Sequence, residues 1–110
     1  MAKYTKMVMG DFDAILATLH NAVMNGSMSA SYEDGSDYND GVFRCAVRVY
    51  ERYSYFGGNR VSMSLTLAGA NGQYFLTAIT SGGSQATFFK INTIGEEAFL
   101  DTISGVIDRL

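Results

Sequence analysis

Apolar and polar residues alternate along two long stretches, VFRCAVRVYERYSYF at 42–56 and RVSMSLTLA at 60–68. A period of two is the signature of a strand with one buried face. Phe43, Cys45, Val47 and Val49 form such a face, separated by Arg44, Ala46 and Arg48. Val61, Met63, Leu65 and Leu67 form the second, separated by Ser62, Ser64 and Thr66. Gly57-Gly58-Asn59 joins the two stretches as a hairpin. Directly opposed residues share a face, so the turn length follows from matching faces. A two-residue turn sets Val49 against Thr66, core against solvent. A three-residue turn pairs Val49 with Leu67, Tyr53 with Met63 and Tyr55 with Val61. The longer turn is expected, with Gly58 or Asn59 left-handed. It leaves Glu51 opposite Leu65 on the apolar face, so either a bulge at 50–52 turns it out or a partner neutralises it. Fully extended, residues 42–56 span about 50 Å at about 3.3 Å each. A compact domain of this length is roughly 35 Å across, so the strand must bend, curl or overhang.

The rest of the chain supplies further elements. Residues 4–9 read as a short strand ended by Gly10. Asp11 is a candidate N-cap, and Phe12, Ile15, Leu16, Leu19 and Val23 follow at helical spacing. Gly26, after Asn25, is the expected left-handed stop. Met28, Ala30 and Tyr32 alternate with Ser29, Ser31 and Glu33 as a half-buried strand. EDGSDYNDG at 33–41 is rich in turn formers and reads as a solvated loop. Asn71-Gly72 favours a two-residue type I′ turn. That places Tyr74, Leu76 and Ala78 on the core face and Phe75, Thr77 and Ile79 on the other; a three-residue turn reverses the assignment. After SGGSQ at 81–85, residues 86–92 read as another strand, with Phe88 and Phe89 on opposite faces. Strands apolar on both faces are usually covered on both. Thr93 and Glu96 have capping-box spacing. They open a helix whose buried stripe is Phe99, Leu100, Ile103, Val106, Ile107 and Leu110. The order is β-α-β-β-β-β-β-α. This predicts one α+β domain over residues 1–110: a two-layer fold with an antiparallel meander sheet of five to six strands and both amphipathic helices on one face. A curled sheet gripping the C-terminal helix, as in helix-grip folds, is the variant.

If both helices cover one face, the other needs an account. In the expected register it carries Arg44, Arg48 and Arg52 with Tyr50 between them, Ser62, Ser64 and Thr66 opposite, and Arg60 near the turn. Three readings stay open. The face is solvated, with arginine stems lying flat on it. Or it is a homodimer interface, which favours Arg and Tyr. Or it binds a small anion through guanidinium forks.

Charge narrows the partners. The net charge is −3 and the pI about 4.9. A clustered positive field for duplex nucleic acid is missing. No apolar run nears the roughly 20 residues that span a bilayer, and no leader-like apolar segment follows Met1. A soluble cytoplasmic protein is expected. The 17% charged content is low and fits a chain that buries surface in an oligomer. Cys45 is the single cysteine and reads as a small buried hydrophobe. His20 is the single histidine, without a second ligand at metal spacing, and reads as a boundary residue beside the helix stripe. The acids at 33–41 do not fit the oxygen spacing of a calcium loop. Gly82, Gly83, Ser84 and Gln85 could let amides approach a phosphate, but the P-loop lysine is missing. No G-x-S-x-G context surrounds Ser81 or Ser84. Glu96 and Glu97 sit where a helix dipole welcomes acids. No catalytic residue, metal or cofactor is expected.

VRVYERYSYFGGNRVSMSLTL and AITSGGSQATFFKINTIGEEAFL resemble a family of small, single-domain bacterial proteins of unknown function, over nearly the whole chain. The resemblance implies a bacterial, cytoplasmic protein and carries no activity or substrate. The leading expectation is a non-enzymatic binding module that self-associates, as a homodimer through the sheet face or edge. The alternative is a binder of a small anionic ligand at Arg44, Arg48, Tyr50, Arg52, Arg60, Ser62 and Ser64. An enzyme without a recognisable motif is third.

Overall fold

A computed structural model describes residues 1–53, 60–82 and 89–110. The elements are β1 (Ala2–Met9), α1 (Phe12–Gly26), β2 (Ser31–Asn39), β3 (Phe43–Tyr53), β4 (Arg60–Ala70), β5 (Gln73–Gly82) and α2 (Phe89–Asp108). The five strands form one open antiparallel sheet in the order β1-β5-β4-β3-β2. β1 and β2 are therefore the two edges, and α1 carries the chain from one edge to the other. Both helices pack on one face. Phe12, Ile15, Leu19 and Val23 of α1 and Phe99, Leu100, Ile103 and Ile107 of α2 meet Val8, Met63, Leu65, Leu67, Leu76 and Ala78 of the sheet in one buried cluster. The α+β fold with helices on one side is as the periodicity predicts.

Local chemistry explains the ends of the elements. The Asp11 carboxylate accepts from Ala14 N at 2.9 Å, the N-cap bond that spares a free amide of the first turn. Asn71 and Gly72 have φ of 57° and 77°, and Ala70 pairs with Gln73. That is the two-residue turn expected, and it fixes Tyr74, Leu76 and Ala78 inside. Lys6 Nζ donates to the carbonyls of Ile107 and Asp108 at 3.2 Å each, tying the C-terminus of α2 to β1.

Four expectations change. First, Glu33 to Asn39 is no loop but most of β2, paired with β3 across a bulge between Tyr32 and Asp34. Met28 lies before the strand and is fully exposed. Acids and turn formers suit an edge, where charge and a bulge stop another chain from pairing. The turn follows at Asp40, whose carboxylate accepts from the amides of Val42 and Phe43 at 3.0 and 2.7 Å.

Second, Gly26 is the last residue of α1, and an extended Ser27 caps it. Gly26 allows close helix contact instead, since a Cβ there would lie 3.0 Å from Thr102 Cβ. Third, Phe89 to Asn92 are helical, so Thr93 lies inside α2 and Thr93–Glu96 is no capping box. β5 already has a neighbour on each side, β4 and β1. A strand following β5 therefore has no free edge of β5 to pair with.

Fourth, the β3–β4 register differs. Val49 pairs with Ser64, not Leu67, and Tyr53 pairs with Arg60, not Met63. Val61 pairs with Arg52, not Tyr55, and six residues, 54–59, which lie outside the described residues, separate the paired ends in place of a three-residue turn. An odd shift reverses the face of β3. Arg44, Ala46, Arg48, Tyr50 and Arg52 oppose Gly69, Leu67, Leu65, Met63 and Val61 and so face the helices. Glu51 thereby turns outward without a bulge in β3.

Gly69 shows how tight this inner row is. A Cβ there would lie 2.2 Å from the Gln73 carbonyl oxygen and 3.0 Å from Tyr74 Cα, both backbone. The space is used by Tyr74, whose ring packs edge-on against Phe12 at 5.1 Å. Gly69→Ala is expected to lower unfolding stability by about 2 kcal/mol or more in urea titration, as strained core substitutions do. Wild-type stability in that variant would contradict the close approach.

Candidate functional site

The inward row of β3 is a ladder of polar heads over apolar rings. The Arg44 guanidinium lies 4.1 Å from the centroid of the Phe12 ring and donates to Asp13 at 2.9 and 3.2 Å. That fork holds the Asp13 carboxyl below its ordinary value and the Arg44 guanidinium above its own. Arg48 donates to Asp37 at 3.0 Å and to the carbonyl of Val47 at 2.9 Å. The buried Arg52 guanidinium lies 4.7 Å from the Phe99 ring. Tyr50 is fully buried, and its hydroxyl lies 2.8 Å from His20 Nδ1, with Tyr32 packed against both rings. His20 is thus the boundary residue expected, tied to the sheet through Tyr50 and Tyr32.

The candidate residues are accordingly divided. Arg44, Arg48, Tyr50 and Arg52 lie under or beside the helices. Arg60, Ser62 and Ser64 lie on the open face. There Arg60 pairs with Glu51 at 2.7 Å and reaches Glu33 at 3.6 Å, while the Ser62 and Ser81 hydroxyls are 3.0 Å apart. Gly82 ends β5, and Gly83, Ser84 and Gln85 lie outside the described residues. The expected single surface of arginines among hydroxyls therefore does not form, because the β3 register reverses its faces. Arg44, Arg48 and Arg60 each meet an acid of the same chain.

The family model for DUF6054, a family of unknown function, matches residues 1–110. The chain belongs to that family. No curated protein matches it. Among the described residues, no group of three or more His, Cys, Asp or Glu gathers for a metal, and no helix is long and apolar enough to cross a membrane.

What the helices leave uncovered is the opposite face of the sheet. Cys45, Val47 and Val49 of β3, which the alternation assigns to the core, lie there half-buried. Phe75, Ile79, Met7 and Met9 join them, with 44, 37, 60 and 72% of their surface exposed. Glu51 was the one sequence signal of this arrangement. An acid on an apolar face points to a wrong phase, and reversing β3 sends it out to meet Arg60. On the helix side, a shallow groove of about 410 Å³ lies between Asn21, Ala22 and Asn25 of α1 and Val106 of α2.

Tyr50 gives this inner layer a pH signature. Burial pushes its hydroxyl up to about 12 from an ordinary 10.0. Between those values the unfolded chain holds fewer protons, so stability is full below pH 10 and falls as pH rises towards 12. The loss reached by pH 11 is on the order of 1 kcal/mol. Tyr50→Phe removes that slope, at a cost of about 1 kcal/mol at neutral pH for the lost His20 contact. Urea titrations of both proteins at pH 7 and pH 11 measure this; identical alkaline slopes would refute it.

Proposed function

We propose that this chain is a non-enzymatic self-association module whose working surface is the open face of its sheet. One observation carries the reading. The outward positions of β3 and β5, polar in an antiparallel sheet with one wet face, here include Val47, Val49, Phe75 and Ile79 beside Thr77 and Glu51. Large apolar residues gathered on an exposed sheet face mark an interaction surface.

The size suits a dimer. Five strands about 4.8 Å apart and about nine residues long present a face of roughly 700 Å². A stable interface takes about 800 Å² from each partner. The low charge content of the chain agrees with surface being buried in an assembly. A cytoplasmic setting agrees with Cys45 on that face, a lone thiol that a reducing compartment keeps free.

Light scattering behind size exclusion, from about 1 to 100 µM, is expected to show a dimer across the interface affinities typical of this area. Val49→Asp and Phe75→Asp, on strands either side of β4, are each expected to give a folded monomer with unchanged far-UV circular dichroism. A wild-type monomer at the highest concentration, or a dimer indifferent to both substitutions, would overturn the reading.

A further inference from the structure

We infer that the second copy docks about a two-fold axis nearly parallel to β4 and passing by Ser64, so that Lys3 of each copy meets Asp34 of the other. This rests on the self-association reading above and specifies its geometry.

The ladders place one outward row straight across the sheet. Lys3 pairs with Ile79, Ile79 with Ser64, Ser64 with Val49, and Val49 with Asp34. The row therefore runs from a cation on one edge to an anion on the other, with apolar residues either side of a small central one. Lys3 and Asp34 are both exposed. Asp34 Oδ1 accepts from the Gly35 amide at 2.8 Å, which holds the carboxylate at the edge. The central strand is small along its outward side from Ser62 onward, Ser62, Ser64, Thr66, Ala68 and Ala70, with Arg60 at its start held by Glu51. β4 is thus the floor of a trough walled by β5 and β3.

A symmetric pair of sheets packed face to face has its two-fold axis in the plane between them. An axis along the strands sets β4 over β4, β5 over β3 and β1 over β2. From Ser62 to Ala70 small floor meets small floor, and Arg60, neutralised by Glu51, meets its own copy at one end. Ile79 meets Val49 and Lys3 meets Asp34, each twice. An axis across the strands sets every strand over its own copy, so Lys3 opposes Lys3 and Asp34 opposes Asp34, which like-charge repulsion disfavours. Aligned sheets cross at about 30°, which displaces edge strands some 10 Å from the axis by about 5 Å, within the reach of a lysine.

The test is a charge swap read by sedimentation at low ionic strength. Lys3→Glu and Asp34→Lys are each expected to weaken the dimer on the order of ten-fold, because two attractive rim pairs become repulsive. The double variant K3E/D34K is expected to restore wild-type affinity. Singles that leave the dimer unchanged, or a double variant that stays weak, would overturn this axis. If Val49→Asp still gives a monomer in that case, the open face remains the interface and only the axis fails. A monomeric wild type overturns both.

Discussion

The ladder between β3 and β4 decides which side chains the helices cover. Val49 opposite Ser64 and Tyr50 opposite Met63 put the arginines of β3 in line with the aliphatic row of β4. Every other feature follows from that pairing. α1 then lies over a strand whose inward side is Arg44, Ala46, Arg48 and Tyr50. The outward side is left with Cys45, Val47 and Val49. A slip of one residue exchanges the two sets.

Placing arginines towards the helices demands that each guanidinium be met. Their stems are apolar and cover rings well, as Arg44 does over Phe12 and Arg52 over Phe99. The heads of Arg44 and Arg48 then reach acids at the rim, Asp13 on α1 and Asp37 on β2. The acidic edge strand thus has two roles. It blocks pairing by another chain, and it supplies a counter-charge to the strand beside it. The same arrangement withdraws these arginines from the open face, which becomes more apolar for their absence.

The helices, the Asp11 cap, the Asn71-Gly72 turn and the inward set of β5 were legible in the sequence, because each depends on local spacing or on one residue's backbone preference. β2 was not. Its acids and turn formers have poor strand propensity, and only a vacant edge on β3 draws them into the ladder. The phase of β3 was obscured because valines outweigh arginines in any hydrophobic count, although long arginine stems bury well against rings. Phe89 to Asn92 carried an apolar pattern too short to separate helix from strand, and the position of β1 beside β5 settles it. For the candidate site, the alternation found the hydroxyls of β4 and the apolar Phe75 and Ile79. It set the wrong side of β3 beside them.

Edge pairing and face packing are the two ways a sheet protein can meet its own copy, and this fold treats them differently. The β2 edge is acidic and bulged at Tyr32–Asp34. The β1 edge bears Lys3 and Lys6, with Lys6 held by the end of α2. Charges and bulges of this kind make both edges poor templates for another strand. Among the described residues, the open face carries Glu51 and Arg60 as its charges between the edges. Glu51, the one acid in the outward row of β3, is neutralised by Arg60 beside it. The bulge and acids of β2 and the lysines of β1 thus leave the open face as the less guarded surface of the sheet.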